Sequence, residues 1–298
     1  QLIDVDFYRY AINQKLDDLI DTAHGGVGLR HVTKGKFEKT KVCLPPQAEQ
    51  RRIAAKLDTT LAAVDACRQR LEGVAALIKR FRQAVLEAAT TGELTREWRE
   101  EQGIDEPEAV TLGDIIKVRS GKFMPAKAMD PSGKIPVFGG NGIAGYHSEA
   151  NVDEPTVVIG RVGFYCGSVH LTPEKAWVTD NALIAKGKRS DIDKDFLYYA
   201  LLGTNLRSND SSTAQPVISG AKIYPLPFLL PSVDEQREIV ARFEALFSLA
   251  DQLEARLRTA RQVVERLTPA LLAKAFRGEL VSRIPATNRR ACCWSGFG

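Results

Sequence analysis

The sequence predicts an α+β protein whose globular domains are joined by two long antiparallel coiled-coil helices. One segment occurs twice, because residues 44–53 are echoed by residues 230–239 and Gly92-Glu93-Leu94 recurs as Gly278-Glu279-Leu280, all at a shift of 186 residues. Each copy carries apolar residues at spacings of three and four, which is typical of a coiled-coil helix. Between the copies, short β-prone runs alternate with glycine turns.

Two apolar stripes at the shared shift define the long helices. They consist of Ile53, Leu57, Leu61, Val64, Cys67, Leu71, Val74, Ile78, Phe81 and Val85, and of Ile239, Phe243, Phe247, Ala250, Leu253, Leu257, Ala260, Val264, Leu267 and Leu271. Pro46 predicts the start of the first helix, and Ser232 with Glu235 predicts a capping box at the second. Gly92 and Gly278 predict the two ends. The stripes favour packing of one helix against the other, although a purely structural hairpin shows the same pattern.

The segment between the helices has the sequence pattern of a compact α+β domain. Short β-prone runs lie at residues 115–118, 135–138, 156–160 and 176–179, and one helix fits residues 194–202. The intervening stretch 138–147 contains four glycines and is expected to form a loop whose backbone approaches a partner closely.

The repeat also predicts the domain organisation. Residues 7–12 resemble residues 196–201, so the chain is expected to begin inside a first copy whose front part would precede Gln1. The predicted segments are the back of a first domain (1–43), a first long helix (44–94), a second domain (105–230), a second long helix (231–282) and a tail (283–298).

Composition and motifs argue against catalysis in this chain. No phosphate-binding loop, glycine-rich cofactor loop or Asp-with-Glu-x-Lys nuclease pattern occurs, and the four histidines lack metal-ligand spacing. The five cysteines include no C-x-x-C pair, so a reducing cytoplasm is the natural compartment and no metal is expected. The net charge of +4 permits a polyanionic partner without requiring one.

Polar and basic residues of the second domain are candidates for contact with duplex DNA. Lysine and arginine side chains release counterions from phosphates, whereas Asn, Gln and Arg can form paired hydrogen bonds with base edges. A solvated charged face and ordinary loop polar groups remain the alternative. The candidates are Lys117, Arg119, Lys122, Asn141, Tyr146, His147, Arg161, Lys186 and Gln215.

Taken together, these motifs resemble the specificity subunit of type I restriction-modification systems. The resemblance rests on residues 139–146 with 178–182 downstream, on residues 215–219 leading into 230–236, and on the duplicated Glu-Gln-Arg helix start that precedes a long helix ending in Gly-Glu-Leu. It implies two target-recognition domains on an antiparallel helix pair, each reading half of a bipartite DNA site, with helix length setting the gap.

The same resemblance implies the partners. It implies double-stranded DNA, modification subunits that use S-adenosylmethionine to methylate adenine, and a motor-nuclease restriction subunit, with no cofactor in this chain and no membrane contact. A chain that lacks the front of its first domain is expected to read only one half of the site, unless two copies associate. Six residues at the helix starts are expected either to hold a domain on its helix or to dock a modification subunit: Glu49, Gln50, Arg51, Glu235, Gln236 and Arg237.

Two other functions remain open from the sequence. The chain could be the recognition tail of a fused restriction-methylation enzyme, which an Asn-Pro-Pro-aromatic motif upstream would indicate. A coiled-coil scaffold with an unrelated β-rich domain would instead show no salt-dependent binding to duplex DNA.

Overall fold

The structure is a computed structural model that describes residues 3–15, 19–20, 32–208, 216–282 and 292–294. The chain divides into two compact units. Unit 1 consists of Gln1–Leu77 and Leu253–Gly298, and unit 2 consists of Ile78–Gln252.

Two long helices dominate the secondary structure. Helix α3 spans Gln47–Thr91 and helix α8 spans Val233–Phe276, with 45 and 44 residues respectively. Gly92 and Gly278 follow them with φ angles of +78° and +74°, a left-handed conformation that ends helices and favours glycine. The glycine stop signals therefore mark both ends as predicted, and α8 continues through Pro269.

Unit 1 is built on the first half of α3 and the second half of α8. Its other elements are α1 (Val5–Gln14), α2 (Lys34–Glu38) and an antiparallel pair of short strands, β1 (Val42–Leu44) and β11 (Cys292–Trp294). Its core packs α1 onto the two long helices, with the ring centroids of Phe7 and Phe276 5.4 Å apart. Residues near the start of α3, such as Leu57, are buried with residues near the end of α8, such as Leu272.

Unit 2 shows the same antiparallel packing in the other halves of the long helices. Val85 of α3 shares a core with Phe243 of α8. The guanidinium of Arg82 lies 2.5 Å from a carboxylate oxygen of Asp251 and 4.9 Å from the ring centroid of Phe247. In each unit, rising numbers on α3 meet falling numbers on α8, which confirms the predicted antiparallel helix pair.

The apolar stripes are less uniformly buried than a continuous heptad seam requires. Cys67 is exposed, and Val74, Leu253 and Leu267 each leave about 38–39% of their surface exposed. The predicted seam is therefore too long, because spacing alone does not show where a helix has a partner along its whole length.

The remainder of unit 2 is a β-rich head preceded by α4 (Arg96–Gln102). A four-stranded sheet has the order β3-β9-β6-β7 with all neighbours antiparallel, and a three-stranded sheet has the order β5-β4-β8, in which β4 and β8 are parallel. The strands are β3 (Ile116–Ser120), β4 (Ile135–Gly139), β5 (Gly142–His147), β6 (Val157–Gly160), β7 (Val169–Leu171), β8 (Trp177–Val178) and β9 (Ala182–Gly187).

Helix α6 (Lys194–Gly203) covers one face of the four-stranded sheet by packing against β6 and β7. Its residues Phe196, Leu197, Ala200 and Leu201 are buried in the core of the head. The predicted helix at 194–202 is therefore present, with one more residue at its end.

The two ends of the head lie side by side. Strand β2 (Glu108–Thr111) enters the head and pairs antiparallel with β10 (Pro227–Leu230), which leads into α8, so that Glu108 stands opposite Leu230. Two short helices, α5 (Leu112–Ile115) and α7 (Gly220–Ile223), flank this pair.

One predicted loop is instead a β-hairpin. Residues 138–147 contain the end of β4, a two-residue turn at Gly140 and Asn141, and all of β5. The glycines conceal the strand because they supply no side-chain alternation, while the backbone pairing needs none.

Candidate nucleic-acid interface

Loops that follow several strands of the head meet at one edge. We call this the loop edge, and it consists of residues 120–123, 140–142, 160–168, 178–182 and 216–218. The backbone N–H of Lys122 donates to the carbonyl of Val178 at 2.9 Å, and that of Arg161 donates to Asn181 at 2.9 Å. Ile218 in turn donates to the carbonyl of Arg161 at 2.8 Å. These bonds tie loops that are distant in sequence into one surface.

Glycines allow this close approach. A Cβ atom on Gly121 would lie 2.3 Å from the carbonyl oxygens of Val178 and Thr179, and one on Gly160 would lie 2.2 Å from the carbonyl oxygen of Gly140. Real side chains do not tolerate such distances from backbone atoms, so these two positions require glycine.

Arg161 is held at the loop edge without using all its donors. Its Nη1 lies 3.4 Å from Ser120 Oγ and 3.5 Å from the carbonyl oxygen of Asp180, both long for hydrogen bonds. Its buried Nε has no hydrogen-bond partner among the described residues. The guanidinium is therefore positioned by weak contacts at Nη1, which a ligand that accepts hydrogen bonds could replace.

The turn between β4 and β5 presents Asn141, which is exposed. Ser168 Oγ donates to the carbonyl of Gly140 at 3.1 Å and lies 3.2 Å from Nε2 of His170. The His170 ring also lies directly under Gly142, whose φ is +83°. Burial lowers the pKa of His170, so the ring is neutral near pH 7 and supports the turn through packing and hydrogen bonding.

Three of the predicted DNA-binding residues, Lys122, Asn141 and Arg161, thus come together at the loop edge. Arg119 is exposed on β3, next to Ser120, and belongs to the same end of the sheet. Lys117 lies further along β3, directly opposite Lys186 on β9.

Lys186 is engaged in an ion pair away from the loop edge. Its Nζ lies 2.8 Å from Glu154 Oε1, and this hydrogen bond holds the pKa of Glu154 below its usual range. Both side chains are more than half exposed, so solvent weakens the pair. The register of β3 and β9 places Lys117 and Lys186 three rungs away from Ser120.

Tyr146 and His147 lie at the end of β5 opposite to Asn141. The His147 ring packs edge-on against Trp177, with ring centroids 5.4 Å apart, and its buried Nδ1 has no partner within the described part of the chain. Tyr146 is 46% exposed. Gln215 lies outside the described residues, so the structure gives its position no description.

Sequence reasoning missed two kinds of residue at the loop edge. Ser120 and Ser168 position Arg161 and the Gly140 turn, but isolated serines carry no signal of such a role. The exposed pair Phe164 and Tyr165 was also missed, although its position inside Gly163-Phe164-Tyr165-Cys166-Gly167 is a detectable signal of aromatic side chains presented by a glycine-flanked turn.

The helix-start glutamines make the same contacts in both copies of the repeat. Gln50 Oε1 accepts from the backbone N–H of Asp4 at 2.8 Å, and Gln50 Nε2 donates to the Pro45 carbonyl at 2.7 Å. Gln236 accepts from Asp193 at 2.8 Å and donates to the Pro231 carbonyl at 3.0 Å.

Each aspartate is in turn the N-cap of the helix that follows it. Asp4 caps α1 by accepting from the backbone of Phe7, and Asp193 caps α6 by accepting from Phe196. Both glutamines are at most 1% exposed, so their side-chain amides bond groups inside the protein and are not accessible to a partner. Each one ties a long helix to the capped start of a shorter helix.

Glu235 is completely buried and does not close the predicted capping box. Its backbone N–H donates to Ser232 Oγ at 3.3 Å, which is one half of the box, but its carboxylate does not return to the Ser232 backbone. Oε1 lies 2.7 Å from Nη1 of Arg99 and accepts from the Thr95 hydroxyl at 2.7 Å. The predicted box is therefore wrong on its glutamate side, because a buried arginine competes for the carboxylate.

The remaining helix-start residues differ from the glutamines. Glu49 is 9% exposed, and the described residues include no ion-pair partner for it. Arg51 and Arg237 are both 68% exposed and lie 3.9 Å from Asp4 and 3.2 Å from Asp234 respectively. Those two arginines are therefore accessible from solvent.

Within the described residues, no group of three or more His, Cys, Asp and Glu side chains is placed to hold a metal ion. The described helices likewise include none with a sufficiently long apolar stretch to span a bilayer.

The fold of this chain, with a β-rich head and two long helices, is similar to that of solved chains of type I restriction-modification systems. The HsdS subunit from Thermoanaerobacter tengcongensis aligns with a TM-score of 0.59 and 22% identity over 93% of this chain and 71% of that chain. A chain from a structure describing complex assembly and conformational transition of the type I R-M system aligns with a TM-score of 0.74 and 21% identity over 93% of this chain and 72% of that one.

The sequence comparisons show the family. The model of the type I restriction modification DNA specificity domain matches residues 1–75 and 104–260, and the chain belongs to this family. It is similar to the EcoDI specificity subunit of Escherichia coli, with 30% identity over 96% of this chain and 72% of the relative. The EcoKI specificity subunit of Escherichia coli strain K12 is 29% identical over 90% of this chain and 64% of its own length. The chain thus spans about two thirds of the length of these relatives.

Proposed function

We propose that this protein is a non-catalytic specificity subunit that reads one half of a bipartite DNA site through the loop edge of the segment 105–230. The observation that carries the proposal is the meeting of Lys122, Asn141 and Arg161 at one edge of the head. A cationic side chain can fix register on phosphates, while an exposed amide and a guanidinium held only by long hydrogen bonds can read base edges. Membership of the specificity family supports the same function.

The proposal includes the partners of the family. Modification subunits would bring S-adenosylmethionine and the adenine methyltransferase activity, and a motor-nuclease subunit would bring restriction. The exposed arginines at the helix starts, Arg51 and Arg237, are available for docking a modification subunit, whereas Gln50 and Gln236 hold elements of their own chain. Action in the cytoplasm, where the DNA and these subunits meet, belongs to the same proposal.

The decisive experiment combines the chain with its methyltransferase partner. Methylome sequencing of the source organism gives the modified bipartite motif, and titration of a labelled duplex gives the affinity. Replacing residues 105–230 with those of a relative should change one half of the motif and preserve the other. An unchanged motif would show that the head is not the reader.

Single substitutions separate phosphate contacts from base contacts. Asn141→Ala should lower affinity for the cognate duplex by about 1–3 kcal/mol and leave nonspecific binding intact. Because Lys122 is the proposed phosphate contact, Lys122→Ala should reduce the slope of log affinity against log salt by about 0.9 and weaken binding to all sequences alike. Lys194→Ala is the matched control for loss of a cation, because Lys194 lies with Glu154 at the other end of the head. An equal loss of affinity for the cognate duplex in all three variants would contradict the proposal that the loop edge contacts DNA.

A further inference from the structure

The loop between β6 and β7 presents two aromatic side chains to solvent. Phe164 is 82% exposed and Tyr165 is 53% exposed, and their rings pack edge to face with centroids 5.0 Å apart and planes at 85°. We call residues 163–167 the aromatic loop. Aromatic rings bury a large area when a partner covers them, so an exposed pair of this kind marks a contact surface.

The aromatic loop is held in shape by its own backbone. Gly163 and Gly167 adopt φ angles of +86° and +85°, which other residues rarely reach. The N–H of Cys166 donates to the carbonyl of Gly163 at 3.0 Å, and that of Gly167 donates to Gly160 at 2.8 Å. Cys166 is 3% exposed and belongs to the core of the head. The rings are therefore presented by a closed and anchored turn, which lowers the entropic cost of binding.

An arginine lies near each end of the aromatic loop. Arg161 precedes the aromatic loop and keeps a buried Nε without a partner among the described residues. Arg207 is exposed, and its stem crosses Gly167 so closely that a Cβ on that glycine would lie 3.1 Å from Arg207 Cγ. Exposed aromatic rings on a loop with an arginine near each end match a ligand with apolar faces inside an anionic backbone, which is the chemistry of nucleic acid.

We propose that Phe164 is a wedge that inserts between two adjacent base pairs at the recognised half-site, with Tyr165 fixing the orientation of its ring. This inference rests on the proposed DNA-reading function and adds a mode of reading that needs no hydrogen bond. Opening a base step costs energy that depends on its sequence, and steps from pyrimidine to purine open most readily. The wedge would therefore select for a deformable step at its position in the motif.

The test uses the chain bound to its methyltransferase partner and a duplex that carries the methylome-derived motif. 2-Aminopurine is placed at successive steps, because its fluorescence rises when stacking is lost. The target adenine and its neighbours are left unlabelled, because the methyltransferase flips that base out of the stack. At the other steps we expect one response with the unaltered chain, none with Phe164→Ala, and a partial response with Phe164→Leu. Affinity for the motif should fall about 5- to 100-fold with Phe164→Ala.

A second set of duplexes distinguishes insertion from surface contact. A mismatch at the responding step is already partly unstacked, so it should bind the unaltered chain more tightly and give Phe164→Ala no such gain. Replacing thymine by uracil removes a methyl group from the major groove and preserves the base pair. If that replacement reproduced the loss seen with Phe164→Ala and no step responded, the ring would be touching a methyl group and the wedge would be refuted.

The controls separate this inference from the proposed function. Phe37→Ala, which removes an exposed phenylalanine from α2, should bind the motif as the unaltered chain does. If the unaltered chain binds its motif and Phe164→Ala behaves identically, the wedge is refuted and the reading function stands. If Phe164→Ala loses only the methyltransferase subunit, the aromatic loop is a protein contact and the wedge is again refuted. If the unaltered chain shows no preference for any sequence, both proposals fail.

Discussion

Replacing Arg99 tests the role of the buried carboxylate beneath the head. Arg99 and Glu235 side chains are 6% and 0% exposed, and their closest nitrogen and oxygen lie 2.7 Å apart. Arg99 also donates to the carbonyl of Gly92 at 3.2 Å, so it joins the end of α3 to the start of α8 within unit 2. Arg99 also pairs with Glu106 at 3.0 Å, but Glu235 has no second ion-pair partner among the described residues, so removing Arg99 leaves a buried charge without its partner, which costs about 3–5 kcal/mol. We therefore expect Arg99→Met to lower the free energy of unfolding of this unit by about that amount.

A double variant measures the coupling between Arg99 and Glu235 directly. Arg99→Met with Glu235→Met removes both charges and replaces them with apolar side chains of similar length. Because two charges no longer need to be desolvated, the double variant should be more stable than Arg99→Met alone. If the cost of the double variant equalled the sum of the two single costs, the pair would not be coupled and the reasoning would be refuted.

Unfolding in urea, followed by tryptophan fluorescence, measures these differences. Trp98 and Trp177 belong to unit 2, whereas Trp294 belongs to unit 1, so Trp294→Phe makes the signal report unit 2. Glu49 provides a matched control, because it occupies the same place in the first copy and has no ion-pair partner among the described residues. Glu49→Met, followed by circular dichroism, should change the free energy of unfolding by no more than about 1 kcal/mol.

Three further predictions concern stability. Gln236→Ala breaks three hydrogen bonds and should lower the free energy of unfolding in urea by about 2–4 kcal/mol. Arg237→Ala, at an exposed position, should change it by no more than about 0.5 kcal/mol. Equal effects of the two substitutions would contradict the role of Gln236 in joining α8 to α6. Leu57→Ala on α3, at a fully buried site, should cost about 2–5 kcal/mol, against about 0.5 kcal/mol or less for Leu77→Ala, where 56% of the surface is exposed. Burial lowers the pKa of His170, so the folded state resists its protonation, and the Tm should fall as pH drops below about 6.5. His170→Gln should weaken that fall, and a Tm that rises on acidification would contradict the sign.

The helices were the most predictable part of the fold, for physical reasons visible in particular residues. Gly92 and Gly278 end α3 and α8 because a left-handed residue closes a helix wherever it occurs, independently of tertiary contacts. The extent of the seam was less predictable. Val74 and Leu253 continue the spacing of their stripes and are nevertheless partly exposed, since burial depends on the surface of the partner helix.

Some features of the strands and of the candidate site could likewise be predicted from the sequence, and others could not. Strand β9 consists of Ala182–Gly187, whose alanines and glycine carry little β-preference, so its central place in the sheet follows from pairing with β3 and β6. Arg161 was named as a candidate because arginine can bond a base edge and this one lies in the turn after the 156–160 run, and its contact with DNA stays a prediction. The separation of Lys186 from Arg161 was not identifiable, because it depends on a strand register that a single sequence does not encode.

The pairing of β2 with β10 has a consequence for how such a protein can change. Since Glu108 stands opposite Leu230, the polypeptide leaves and rejoins its helical support at neighbouring points. Residues 109–229 are therefore an insertion whose two ends lie close together on the long helices. The entropic cost of closing such an insertion grows only slowly with its length. A replacement of quite different size can be grafted there, provided that its own first and last strands pair. Under the proposed function, such a graft would change the DNA sequence that is read and leave the long helices as they are.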